Sequence, residues 1–364
     1  MKKIIRVAAL GGALALTLAA CGSAPEDDST ASAGADSNAD FKACMVSDEG
    51  GFDDKSFNQS GAEGLERAKS ELGITTALVE SQDVNDFGPN VTNLVTQGCN
   101  LVIGVGFMLE DAIEEAAVAN PDIEFALVDS GFSDDDFNPV TYDNAKPLLF
   151  DTQEAAYLAG YAAAGMSKTQ KVATFGGIAL PSVTIFMDGY VDGVAKYNED
   201  NGTAVEVFGW DKAAQTGSFT GDFSNQANGQ NLAKGFIDQG VDVIMPVAGP
   251  VGLGAAAAAK EAGDVMIIGV DADWFDTAPD YSSIILTSVI KEIGQAVFDT
   301  VDQAVAGDYS SEAYVGTLAN GGIGLAPFHD FEADVPTELA DAIENLKAEI
   351  IAGDLNVDSP SANS

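Results

Sequence analysis

Basic residues are scarce in this chain. Sixteen lysines and arginines stand against 57 aspartates and glutamates among 364 residues, a formal net charge of −41 at pH 7. A surface of that sign repels nucleic acid and anionic lipid, so neither is expected as a partner. Histidine is scarcer still. With His329 alone, a Ser-His-Asp triad, a zinc site with two histidines and a paired-histidine relay are all excluded. No calcium loop of the DxDxDG type occurs, and "SDDDF" at Ser133–Phe137 lacks its spacing, so the acidity reads as a solvated surface and no metal is assigned. "GPVGLGAAAAAKEAG" lacks the lysine and serine or threonine of a phosphate loop, and "GVGF" at 104–107 lacks the third glycine of a dinucleotide fingerprint. Both read as cleft-lining turns, and no cofactor is expected. Beyond the first twenty residues no apolar run is long enough to cross a bilayer.

What is present begins with Lys2, Lys3 and Arg6 ahead of an apolar run from Val7 to Ala20, the pattern of a secretion signal. The run ends in "LAAC", and leucine, two small residues and cysteine resemble the lipobox of bacterial lipoproteins. That resemblance implies cleavage before Cys21 and a lipid on Cys21 that holds the protein at the extracytoplasmic face of the cell membrane. Residues 21–40 are small, polar and acidic, the composition of a flexible tether. Without residues 1–20 the chain keeps 13 basic and 57 acidic residues, a net charge of −44. Cys44 and Cys99 are then the remaining thiols. They sit near the starts of two candidate strands, and outside the cytoplasm a structural disulfide between them is preferred to a reactive thiol.

From Phe41 onward strands alternate with helices. "FKACMVS" (41–47), "TTALVES" (75–81), "LVIGVGF" (101–107) and "IEFALVDS" (123–130) read as strands, separated by helices near 56–72, 87–97 and 109–119. After "YLAGYAAAGM" the pattern restarts with "KVATFGGI", "AVEVFGW", "VDVIMPVAG" and "VMIIGVDAD". Apolar runs without two-residue alternation belong to strands covered on both faces, and two such series imply an α/β protein of two doubly wound lobes. Ligands of that architecture bind at strand carboxyl ends. "SDEGGFDDKSFNQSGAEG" (47–64) is such an end: Ser56 and Gln59 form a capping-box pattern that starts a helix at Phe57, and the loop of Asp48, Gly50 and Gly51 lets a ligand approach the backbone.

Nine stretches in collinear order carry a resemblance: "DDKSFNQSGAEGL", "VIGVGF", "FALVDS", "EAAYLAGYAAAGMSKTQKVATFGGIALPSV", "FMDGYVDGV", "GSFTGDF", "GVDVIMPVAGPVGLGAAAAAKEAG", "IGVDADW" and "LTSVIK". Together they resemble the basic membrane protein family of substrate-binding lipoproteins, which includes purine nucleoside receptors of ABC transporters. The resemblance implies a type I periplasmic-binding-protein fold, two lobes joined by hinge strands that close over one nucleoside. On that plan the N-terminal lobe spans 41–150 with a return segment around 275–310. The C-terminal lobe spans 151–272 with a completing segment around 311–357, and 358–364 is a tail.

The same resemblance assigns roles. Phe57 and Phe219 match two rings that sandwich the base, Asp48 an acid that reads its edge, Asp129 a further cleft acid, and Asp111 a polar base contact. Asp271 and Lys291 match a ribose-binding pair, and Gly249 brings backbone close to the sugar, beside a Pro250 that removes an amide donor. The implied function is a monomeric, non-enzymatic lipoprotein that delivers a nucleoside, of the purine class, to an ABC permease. A ribose-like sugar receptor or a ligand sensor would share the fold, and a nucleoside hydrolase would have to work through Asp48 and Asp129 with a positioned water.

Overall fold

The computed structural model describes residues 38–134 and 138–362, so the signal, Cys21 and all but the end of the tether lie outside the described residues. The chain begins as an alternation: β1 (Lys42–Ser47), α1 (Phe57–Leu72), β2 (Thr75–Val79), α2 (Phe87–Thr96), β3 (Leu101–Val105), α3 (Glu110–Ala119) and β4 (Glu124–Val128). A short ribbon of β5 (Phe132–Ser133) and β6 (Pro139–Val140) precedes β7 (Ala145–Phe150) and α4 (Thr152–Met166). The second series runs β8 (Lys171–Gly176), α5 (Pro181–Asn201), β9 (Glu206–Phe208), a ribbon of β10 (Trp210–Asp211) and β11 (Thr216–Gly217), α6 (Gln226–Ile237), β12 (Val243–Val247), α7 (Val251–Ala262) and β13 (Met266–Asp271). It closes with α8 (Trp274–Thr277), β14 (Ile285–Lys291), α9 (Ile293–Ala306), β15 (Tyr314–Gly316), β16 (Ile323–Leu325) and α10 (Thr337–Ala352).

Two six-stranded sheets result, ordered β15-β7-β4-β3-β1-β2 and β16-β14-β13-β12-β8-β9. The first is parallel throughout; in the second only the β14–β16 pair is antiparallel. Each order reverses once, between β1 and β3 and between β8 and β12, the switch points at which such sheets open a crevice. β3 and β12 are buried along their whole length, as apolar strands with helices on both faces must be. Helices α4 and α5 cross with backbones touching: a Cβ on Gly160 would lie 2.1 Å from the Tyr190 carbonyl oxygen, and one on Gly193 1.9 Å from that of Tyr157. A disulfide joins Cys44 of β1 to Cys99 ahead of β3, with 6.0 Å between the Cα atoms.

The return between lobes differs from the expected segment boundaries. Residues 285–291 do not complete the first lobe; β14 pairs in parallel with β13 and extends the second sheet. The chain crosses only after Lys291. α9 then packs on α1, where a Cβ on Gly64 would meet the Gly294 carbonyl oxygen at 2.2 Å, and β15 adds to β7 before β16 returns to β14. Three crossings, near 151, 292 and 317–322, therefore link the lobes.

The start of α1 also differs from the capping-box reading. Asp54, not Ser56, satisfies the helix N-terminus: its carboxylate accepts from the backbone N–H groups of Ser56 (3.0 Å), Asn58 (2.8 Å) and Gln59 (3.0 Å). Two charged oxygens at the positive end of a helix dipole outcompete a single hydroxyl for those donors. Gln59 turns instead to Glu63, and the Ser56 hydroxyl is free to reach the other lobe, at 2.9 Å from the Val270 carbonyl oxygen and 3.0 Å from Asp271 Oδ2.

Candidate functional site

A cavity with about 60 Å³ open to the centres of water-sized groups, and partly open to solvent, lies between the lobes at the carboxyl ends of the strands. The first lobe lines it with Asp48 and Gly50 after β1, Asp54, Phe57 and Asn58 at the head of α1, Gly106 to Met108 after β3, and Asp129 after β4. The second lobe supplies Leu180, Ser182, Val183 and Phe186 around the start of α5, Phe223, Val247 to Pro250 after β12, Asp271 and Lys291. Asp48, Phe57, Asp129, Gly249, Asp271 and Lys291 are thus brought together from positions spread over more than two hundred residues.

At one end stands Asp48, 8 % exposed. Its Oδ1 accepts from Asn58 Nδ2 (2.7 Å) and the Gly50 amide (3.0 Å), while no described group donates to Oδ2. Burial pushes the carboxyl up to about 7; the Gly50 and Asn58 hydrogen bonds oppose the shift, and the charges of Asp54 and Glu49 add to it. Gly106 is required beside it. Its φ of +119° suits glycine, and a Cβ there would sit 2.9 Å from Asp48 Oδ2.

At the other end Lys291, 3 % exposed, donates from Nζ to Asp129 Oδ2 at 2.7 Å and lies 3.4 Å from Asp271 Oδ1. Burial alone would lower its pKa, but the carboxylates of Asp129 and Asp271 outweigh that and hold the ammonium charged. The rings of Phe57, Phe150 and Phe186 surround Nζ at 5.1, 5.6 and 5.0 Å, within cation–π range. Asp129 and Asp271 occupy matching places, each closing the third strand counted from its sheet's far edge, and both adopt a left-handed φ, +69° and +68°, that aspartate tolerates. Since β3 separates β1 from β4, Asp48 and Asp129 follow strands two places apart in the first sheet, with roughly 10 Å between the strand axes.

Two residues expected at the site lie elsewhere. Phe219 does not line the cavity; its ring packs edge-on against Trp210, centroids 5.9 Å apart, and Phe223, four residues on, takes a place in the wall against Gly177. Asp111 is exposed on the first turn of α3. The turn after Gly106 gives the cavity Phe107 and Met108, buries Leu109, and carries Asp111 round to solvent. Asn58, Phe186, Met108 and Phe223 were not singled out in the sequence; only the position of Met108 just past a strand end hinted at it. No group of described residues is arranged to hold a metal ion.

An apolar slot closed at both ends by carboxylates, at the switch points of two parallel-sheet lobes, defines a two-lobed solute-binding protein. The chain belongs to the Bmp family, described as ABC transporter substrate-binding protein PnrA-like, which matches residues 41–358. This is a family of solute-binding proteins, not of enzymes. The chain is 32% identical to the ABC transporter nucleoside-binding protein BmpA of Lactococcus lactis, over 98% of this chain and 99% of that one. It is also 32% identical to basic membrane protein A of Borreliella burgdorferi, over 87% and 88% of the two chains. Among solved structures, an ABC transporter system solute-binding protein from Aeropyrum pernix is similar at a TM-score of 0.78 and 26% identity, covering 89% of this chain and 94% of that one. No helix among the described residues is long and apolar enough to cross a membrane.

Proposed function

We propose that the protein captures a nucleoside, of the purine class, by closure of the two lobes and delivers it as a monomer to an ABC permease. It does so from the extracytoplasmic face of the cell membrane, held by a lipid on Cys21 after removal of residues 1–20. The observation that carries the ligand assignment is one cavity whose wall combines the rings of Phe57, Phe186 and Phe223 with Asp48 after one strand and the Asp129, Asp271 and Lys291 group after others. A nucleoside has that outline: a flat base with a hydrogen-bonding edge, and a diol at the far end.

In this reading Phe57 and Phe223 cover the base, worth roughly 1–3 kcal/mol per stacked ring. Asp48 Oδ2, the oxygen without an internal donor, takes the base edge. Asp271 and Asp129 accept from the sugar hydroxyls, Lys291 lies between the two carboxyls and donates to the same sugar, and Gly249, with a φ of +50°, lets the backbone close on it. One ammonium against Asp48, Asp54, Asp129 and Asp271 makes the cavity hostile to phosphate, so nucleotides are rejected. Mass spectrometry of small molecules released from the protein purified without residues 1–20 tests this. A purine nucleoside is the expected species; a free sugar or an amino acid in its place overturns the assignment.

A further inference from the structure

Behind the Lys291–Asp129 pair lies a second compartment, with about 10 Å³ open to the centre of a water-sized group. It shares Asp129, Ser182 and Lys291 with the main cavity, so the two communicate. Thr152, at the head of α4, and Ser361 also line it. Thr152 is 1 % exposed, and its hydroxyl is buried with no hydrogen-bond partner. Buried hydroxyls in folded proteins almost always have one, so an orphan on the wall of a polar compartment points to a group that enters it. Space for one water-sized group with several polar neighbours is what a single hydroxyl or water needs.

The wall formed by Ser361 is built rather than incidental. Ser361 Oγ lies 2.7 Å from Thr184 Oγ1 and Ser359 Oγ donates to Asp188 Oδ2 at 2.6 Å, both on α5, while Lys212 Nζ donates to the Asp358 carbonyl oxygen at 2.5 Å. Asp188 is fully buried and also accepts from Trp210 Nε1 (2.8 Å) and Gln215 Nε2 (3.0 Å). Residues 358–361, expected to be a plain tail, are therefore tied into the second lobe beside the cavity.

We propose that this compartment is a hydroxyl subsite of the ligand cavity that takes the primary, 5′ hydroxyl of a nucleoside, and that residues 358–361 are the wall that closes it. The proposal rests on the nucleoside reading. In a ribonucleoside the diol and the 5′ carbon project from opposite faces of the sugar ring. A diol directed at Asp271 turns the 5′ hydroxyl toward the Asp129 side of Lys291. There a hydroxyl can donate to Asp129 and accept from Lys291 or Thr152, using both of its capacities. A 5′ phosphate would bring four more heavy atoms and negative charge to a one-atom space beside a carboxylate, so the subsite also sets the limit on ligand size.

The test is calorimetry of guanosine, 5′-deoxyguanosine and guanosine 5′-monophosphate with the wild type, Thr152→Val, Ser361→Ala and a chain ending at Val357. The wild type is expected to bind 5′-deoxyguanosine about tenfold more weakly than guanosine and to reject the monophosphate. Thr152→Val is expected to weaken guanosine by about tenfold while leaving 5′-deoxyguanosine unchanged, a split that loss of stability alone would not produce. Ser361→Ala and, where it folds, the shortened chain are expected to narrow the same gap. Equal binding of guanosine and 5′-deoxyguanosine by the wild type, or equal weakening of both by Thr152→Val, would overturn the subsite and leave the nucleoside reading standing. Failure of guanosine itself to bind would overturn that reading and the subsite with it.

Discussion

The sharpest consequence of the site concerns the proton on Asp48. In the folded protein burial raises its pKa from 3.8 to about 7. Between those values the folded chain holds a proton that the unfolded chain has released, so stability falls as pH rises through this window and levels off above it. That rise in pKa corresponds to roughly 4 kcal/mol at most. Asp48→Asn removes the titration while keeping an oxygen to accept from Asn58 and Gly50. Denaturant unfolding at pH 4, 6 and 8 should show the variant gaining on the wild type from near zero at pH 4 to several kcal/mol at pH 8. Ligand binding follows the same proton with opposite signs for two base classes. A 6-oxo purine presents a ring N–H and needs the carboxylate; a 6-amino purine presents a bare ring nitrogen beside an amino group and needs the acid. With a pKa near 7, guanosine should lose about 100-fold in affinity from pH 8 to pH 5, whereas adenosine should lose about tenfold from pH 5 to pH 8. Asp48→Asn should flatten both profiles. Parallel pH profiles for the two nucleosides, or unfolding curves that keep a constant gap, would refute the reasoning.

Three further outcomes follow from the geometry. Phe57→Ala and Phe223→Ala should each weaken nucleoside binding by roughly 1–3 kcal/mol in calorimetry without unfolding the protein, while Phe219→Ala should act mainly on stability through its contact with Trp210. Lys291→Met should cost roughly 3–5 kcal/mol in denaturant unfolding at pH 8, because it leaves Asp129 and Asp271 buried side by side without their cation, and less at lower pH, since burial raises the pKa of Asp129 and Lys291 is what opposes that rise. Thiol titration of denatured protein lacking Cys21 should find no free thiol, since Cys44 and Cys99 are joined; two titratable thiols would contradict the pairing.

The parallel strands were legible because both of their faces are buried: "ACMV" and "LVIGV" read as unbroken apolar runs with no competing helical period. β14 was visible only as a motif, since Thr287 and Ser288 interrupt its apolar character; their hydroxyls bind the Ala326 carbonyl oxygen and the Trp274 amide inside the second lobe, which no local pattern announces. The three-residue β15 and β16 carry too little periodicity to be seen, and so the interleaved return between lobes was placed too early. The family resemblance led to Asp48, Asp129, Asp271 and Lys291, whose grouping depends on contacts across 162 residues in the case of Lys291 and Asp129. Phe219 and Phe223 share one loop and one residue type. Which of them faces the cavity is decided by the turn at Thr220 and Gly221, whose amides bind the Gly176 and Gly177 carbonyl oxygens, a tertiary pairing invisible in "GSFTGDF".

The most direct test of the central claim, that both ends of the cavity read one nucleoside, is to measure guanosine, 2′-deoxyguanosine, guanine and ribose against the same protein by calorimetry at one pH and salt concentration. The account predicts that guanosine binds at least tenfold more tightly than each of the others, about 1.4 kcal/mol or more. Guanine or ribose binding as tightly as guanosine would mean that one end of the cavity carries the affinity alone, and would contradict it.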